Sequence, residues 1–157
     1  MLRKVKRVGL GDLPDIVRAY RHLVAAGLTL FILRKPAEAW LPPRQAERGD
    51  NLRPELADAL VRRASRWTNT AARYPFPWAR CLQRSLALCY WLEGSEIRPA
   101  LKIGVRKNGK GIDAHAWVIY RGQTINDSPA MGEVFSVLGP GGATPQLARR
   151  DGHAHDS

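Results

Sequence analysis

Apolar residues first recur at helical spacing early in the chain, at Ile16, Val17, Tyr20, Leu23, Val24, Gly27, Leu28 and Phe31. That period predicts an amphipathic helix from Leu13. Asp12 is placed to cap it and Pro14 suits its first turn. His22 falls on the side shared with Arg18 and Arg21, which predicts a solvated face. Pro36 and the pair Pro42-Pro43 break the segment, and 44–51 reads as a charged linker. A second helix is predicted from Pro54, with Leu56, Leu60, Val61, Ala64 and Trp67 as an apolar stripe. Arg62, Arg63 and Arg66 form a basic stripe on it, read either as a solvated face or as a partner surface.

A turn-rich stretch from Thr68 to Trp78 leads to the most apolar element of the chain. Prolines 75 and 77 precede it and Gly94 follows it, which predicts a helix over Arg80–Leu92. Only Gln83, Arg84 and Ser85 interrupt its apolar surface, so it belongs inside the domain, packed on several sides. Tyr74, Phe76 and Trp78 alternate with the prolines and either line a groove near the helix start or cover it.

After Gly94 the pattern changes to alternation. Ala100–Val105 reads as a strand, Arg106–Gly111 as a basic loop and Ala114–Tyr120 as a second strand. Arg121-Gly122 turns the chain and Gln123–Asn126 returns it. Helices followed by strands predict an α+β domain: N-terminal helices and a central helix packed on a small antiparallel sheet. We expect residues 1–53 to be an N-terminal helix and linker within that domain, 54–138 its core, and 139–157 a flexible tail after Gly139–Gly142.

With 157 residues the chain is long enough to bury a core. Two cysteines without metal-type spacing argue for a reducing compartment. Met1–Arg7 has the charge of a signal-peptide start but no apolar region or cleavage site follows it, and the Val24–Leu33 run is too short to span a bilayer. A cytoplasmic protein without membrane association is expected. The net charge of +11 favours an acidic partner without choosing its class. A nucleic-acid-binding module is a rival reading, but the chain has no stacking motif or recognition-helix signature. His153 and His155 alone are a weak metal signal.

The chemistry gathers around Cys81. It lies in the first turn of the predicted central helix, where free N–H groups and the helix dipole favour a thiolate. On its own it fits a nucleophile or a buried core residue equally, whereas Cys89, mid-helix, fits core packing. The two stand roughly 12 Å apart along the helix axis and cannot form a disulfide there. His115 lies on the second strand. If Tyr120-Arg121-Gly122 forms a three-residue loop with Gly122 left-handed, Ile119 pairs with Gln123 and Trp117 with Ile125. His115 then falls opposite Asp127, with Cβ atoms about 5 Å apart. A two-residue loop would put the two side chains on opposite faces. Cysteine at a helix start, histidine on a strand and an acid on the next strand are the parts of a thiol hydrolase.

Cys81-Leu82-Gln83-Arg84-Ser85-Leu86, Ile103-Gly104-Val105, Ala114-His115-Ala116-Trp117-Val118 and Asn126-Asp127 resemble the lasso-peptide leader peptidases. These are transglutaminase-like, papain-like cysteine proteases, and the similarity covers about residues 10–130. The resemblance implies a Cys81–His115–Asp127 triad that removes the leader of a lasso-peptide precursor, with no cofactor or metal. It implies as partners the precursor leader peptide, a separate leader-recognition protein and an ATP-dependent macrolactam synthetase. The recognition protein is expected as a separate chain because residues 1–53 read as helix and linker, not as the small winged-helix-like module that some members carry. Another Cys-His-Asp amidase or acyltransferase on the same fold is the alternative. Cys81 N–H is one candidate oxyanion donor, and Trp78 a weaker one.

Overall fold

A computed structural model describes residues 9–33, 52–73, 80–109 and 111–138. The linker 44–51, the prolines at 36, 42 and 43, the aromatics Tyr74, Phe76 and Trp78, and the 139–157 tail with His153 and His155 lie outside the described residues.

A short 3₁₀ turn at Leu10–Asp12 leads into α1 (Leu13–Leu33). The Asp12 carboxylate turns back to accept the N–H of Gly9 at 3.0 Å. α1 buries only part of the apolar face predicted for it: Leu23 is in the core and Ile16 and Tyr20 pack against it. Ala19, Leu23 and Ala26 are buried, while Val17, Val24, Leu28 and Phe31 are exposed, Phe31 by 77%. Small residues let α1 come close to its neighbour: a Cβ on Gly27 would lie 2.7 Å from Gln83 Nε2, which donates to the Leu23 carbonyl at 3.0 Å. Close helix packing therefore selects the alanine and glycine side, and a second apolar stripe is left facing outward.

His22 is likewise not on a solvated face. Its ring stacks on Trp91 at 6.2 Å, and Nε2 is buried with no hydrogen-bond partner among the described residues. Burial and then the charges of Arg21 and Arg18 hold its pKa below the ordinary histidine value.

Helix α2 (Pro54–Ala71) starts on Pro54, as expected, and runs further into the predicted turn region than Thr68. Ala57, Val61, Ala64, Trp67 and Ala71 face the core, while Leu56 at its start remains exposed. Its basic stripe is partly engaged: Arg63 pairs with the buried Asp15 of α1, and the Arg66 guanidinium lies 4.8 Å from the Trp67 ring centre. The central helix α3 (Cys81–Glu93) keeps Leu86, Ala87, Leu88, Cys89, Trp91 and Leu92 buried. Each large apolar side chain fully withdrawn from water there contributes about 1.5–3 kcal/mol before conformational entropy is counted.

The strands β1 (Ala100–Asn108) and β2 (Gly111–Tyr120) form a hairpin longer than predicted. The expected basic loop at 106–111 is mostly ladder, with Arg106 paired to Asp113 across it. A short β3 (Gln123–Thr124), a single turn α4 (Met131–Val134) and β4 (Ser136–Val137) complete an antiparallel sheet of order β3-β2-β1-β4. Leu101, Ile103, Ala116, Val118 and Tyr120 turn toward the helices and join one core with α1, α2 and α3. The architecture is α+β, with the helices packed on a small antiparallel sheet. Among the described residues no helix is long and apolar enough to cross a membrane.

Candidate active site

The site lies where the start of α3 meets β2 and the segment after β3. Arg80 precedes α3 in extended conformation and makes no side-chain cap, so Cys81 is the first helical residue. The amides of the first turn have no carbonyl one turn earlier to bond, and the positive end of the helix dipole stands there. Cys81 is a half-buried free thiol at the edge of the core. Cys89 is buried, and desolvation followed by the nearby Glu93 charge pushes its thiol pKa far up. It is inert by the same physics that makes it a good core residue.

The next turn of α3 anchors that helix to the sheet. Ser85 is fully buried; its Oγ donates to the Ala116 carbonyl at 3.0 Å and accepts from Asn126 Nδ2 at 2.9 Å. Arg84 Nη2 lies 3.0 Å from Asp127 Oδ2. Cys81 stands three and four residues before these two, and so on the same face of the helix.

His115 Nε2 lies 2.9 Å from the same Asp127 Oδ2. This contact is made, but not through the register predicted for it. Ile119 pairs with Thr124 and Tyr120 with Gln123, which leaves a two-residue loop, Arg121-Gly122, and not a three-residue one. Both loop residues are left-handed, with φ of 47° and 76°, the pairing that suits a tight hairpin. Arg121 tolerates this conformation while its guanidinium sits 5.0 Å from the Tyr120 ring centre and bonds Asp58 at 3.2 Å. Continued in that register, the strand would place Asp127 on the face away from His115. It does not continue. The Ile125 N–H still reaches the Val118 carbonyl at 3.0 Å, but the Val118 N–H is taken by Asn126 Oδ1 at 2.8 Å. The carbonyls of Ile125 and Asn126 turn to α2, accepting from Ser65 Oγ and Asn69 Nδ2. The ladder breaks at Asn126, alternation is lost, and Asp127 arrives beside His115.

The Asp127 carboxylate is held on both oxygens, since Oδ1 accepts the Ser128 N–H at 2.8 Å. Partial burial alone would raise its pKa. The hydrogen bonds from His115 and Ser128 and the Arg84 charge outweigh that and hold it below the ordinary carboxylate range.

The His115 ring rests on an aromatic bed, 5.3 Å from Phe135 and 6.3 Å from Trp117 between ring centres. Gly104 makes room for it. It pairs with His115 across β1 and β2, and a Cβ there would come within 2.8 Å of Trp117 and 2.9 Å of Phe135. The pattern reading gave no role to Arg84, Ser85, Asn126, Gly104 or Phe135. The available signal was Arg84-Ser85, polar residues interrupting an apolar helix; nothing local pointed to Phe135.

A family model described as the transglutaminase-like superfamily matches residues 21–139, well over half of the chain. The chain belongs to the transglutaminase-like superfamily. The match spans α3, the sheet and all the groups described around Asp127. No curated protein and no solved structure matches the chain at a significant level. Among the described residues of this transglutaminase-like chain, no group of three or more His, Cys, Asp or Glu side chains is arranged to hold a metal ion.

Proposed function

We propose that this transglutaminase-like protein is a cysteine peptidase that removes the leader from a lasso-peptide precursor, using Cys81, His115 and Asp127. The His115–Asp127 contact carries the reading. It leaves Asp127 on Nε2, so Nδ1 is the ring nitrogen free to take the Cys81 proton. The thiolate attacks the carbonyl carbon of the scissile bond, and free amides at the α3 start, Cys81 N–H among them, face the developing oxyanion. The C–N bond breaks as His115 returns the proton to the leaving amine. The leader is then held as a thioester, and water activated by His115 hydrolyses it. Asp127 fixes the imidazole's orientation throughout. Membership of the superfamily also favours a second reading, in which the thioester passes to an amine instead of water.

The proposed partner is a separate leader-recognition protein. Its docking surface is the outward stripe of α1, where Leu13, Val17, Val24 and Leu28 are each more than half exposed beside Phe31. Large apolar side chains exposed side by side in this way support an interaction surface here. A partner that also holds the leader makes cleavage nearly intramolecular, with an effective concentration of order millimolar.

The test is incubation of a full precursor with the protein, with and without the recognition protein, read by mass spectrometry. Cleavage at one bond with addition of one water, stimulated by the partner, is the expected result. Amine incorporation in place of water selects the second reading. Asp127→Asn should cut kcat far more than it raises KM, because orientation matters most in the transition state. A rise in KM alone would make Asp127 a substrate contact.

A further inference from the structure

We propose that Arg84 is a positioning residue of this site: it acts through Asp127 and ties the turn carrying Cys81 to the acid that orients His115. The inference rests on the Cys81–His115–Asp127 reading and adds a fourth member to it.

An arginine in the first half of a central helix is a costly choice. Its neighbours along α3 are almost all apolar, and its side chain is only 25% exposed. Such a guanidinium is tolerated where it is paired. Among the described residues its one ion-pair partner is Asp127, through Nη2, while Nε is buried with no hydrogen-bond partner. The pairing is therefore directed at the acid and not spread over a surface network.

The choice of oxygen gives the pairing its consequence. Arg84 Nη2 and His115 Nε2 both meet Oδ2, at 3.0 and 2.9 Å, while the Ser128 N–H holds Oδ1. A carboxylate gripped by the backbone on one oxygen and by a cation on the other cannot rotate to follow the imidazole. The ring must come to a fixed acceptor. Phe135 and Trp117 limit its tilt from below, so the orientation of His115 is set from two sides.

Arg84 also sits three residues after Cys81, and its neighbour Ser85 bonds the Ala116 carbonyl, next to His115, and Asn126, next to Asp127. The Arg84-Ser85 pair thus fastens α3 both to β2, which carries His115, and to the segment after β3 that carries Asp127. This attachment sets where the start of α3, with Cys81, stands relative to β2. A guanidinium suits the task because its rigid planar fork presents donors at a set distance from the helix, which a flexible ammonium does not.

A merely structural ion pair would stabilise the fold and leave the reactivity of Cys81 alone. The experiment separates the two. The rate of Cys81 alkylation by iodoacetamide is measured, without peptide, in the full chain and in Arg84→Gln, Asp127→Ala and the double variant, with thermal melts alongside. The expected result is about a tenfold slower alkylation in Arg84→Gln, the size of one lost charge-assisted hydrogen bond. In the Asp127→Ala background Arg84→Gln should change nothing further, because its effect runs through the missing carboxylate. Kinetics on a cleaved precursor should show the same loss in kcat with KM unchanged. Should Arg84→Gln not fold, Arg84→Lys, which keeps the charge without the fork, carries the same comparison. An alkylation rate equal to wild type, or losses that simply multiply in the double variant, would overturn the proposal. If alkylation responds as expected but no precursor is cut, the peptidase reading fails and the role of Arg84 stands. If His115→Ala slows alkylation and Arg84→Gln does not, the triad stands and Arg84 is structural.

Discussion

His115 Nε2 meets Asp127 Oδ2 at 2.9 Å because Asn126, the residue before Asp127, ends the strand pairing by taking the Val118 N–H on its side chain. Asn126 uses its side chain where a backbone carbonyl would serve, and so releases the following residue from the alternation of the sheet.

Asn126→Ala should therefore damage both stability and chemistry. It strands the buried Val118 N–H and removes the Nδ2 donor to Ser85. Each orphaned buried group costs about 1–3 kcal/mol. A loss of about 2–5 kcal/mol in urea denaturation is expected, with Cys81 reactivity reduced in the variant that remains folded. Wild-type stability would mean the chain resumes the ladder at little cost.

Cys81 should be alkylated well before Cys89 in the native protein. The first is half-exposed at a helix start, and the second is buried with its thiol strongly disfavoured as thiolate. Peptide mapping after brief iodoacetamide treatment reads this directly. Cys81→Ala should abolish turnover; surviving activity removes Cys81 from the mechanism.

Gly104→Ala should destabilise the protein by about 1–3 kcal/mol, the usual cost of overpacking a filled site. The added methyl would press on Trp117 and the Phe135 backbone-proximal Cβ, which cannot swing aside as a flexible side-chain end would. Tryptophan fluorescence and a thermal melt check it, and an unchanged melt would show that the aromatic bed gives way freely.

Stability should fall as the pH drops through the histidine range. Burial and the charges of Arg21 and Arg18 hold the folded-state pKa of His22 below the ordinary histidine value, so the unfolded chain binds the proton more readily. The contribution of neutral His22 is complete above the unfolded pKa and is lost as pH falls toward the folded one. The lowered pKa of Asp127 adds a loss of the same sign at more acidic pH. Denaturation midpoints from pH 8 to pH 5 in wild type and His22→Gln should converge as the pH drops. Parallel curves would exclude His22 as the source.

Val24→Glu and Leu28→Glu should abolish stimulation by the recognition protein and leave the partner-free rate unchanged. Both side chains point outward from α1, so the folded state should shift by no more than about 0.5 kcal/mol. Stimulation that persists in both variants places the partner elsewhere, with the exposed Arg62 edge of α2 the next surface to alter.

Local pattern determined the elements themselves. Apolar recurrence and proline positions suffice for α1, α2 and α3, and alternation for the β1–β2 hairpin, because the period of apolar residues and the chain breaks are set along a single element. The position of Cys81 at the α3 start followed from the same signals. Tertiary structure decided what depends on two elements at once. The apolar stripe read for α1 ran from Ile16 to Phe31, yet the close approach of α3 at Gly27 keeps only its Ile16–Tyr20–Leu23–Gly27 edge against the core, with Ala19 and Ala26, and leaves Val17, Val24, Leu28 and Phe31 outside. The pairing of His115 with Asp127 was read from a hairpin register that the chain does not adopt. Arg121 can enter the left-handed region because Tyr120 and Asp58 hold its side chain, and Asn126 can leave the sheet because Asn69 and Ser85 receive it while Ser65 takes the Ile125 carbonyl. Apart from the adjacent Tyr120, these partners lie dozens of residues away in sequence, and only folding brings their hydrogen-bonding groups within reach.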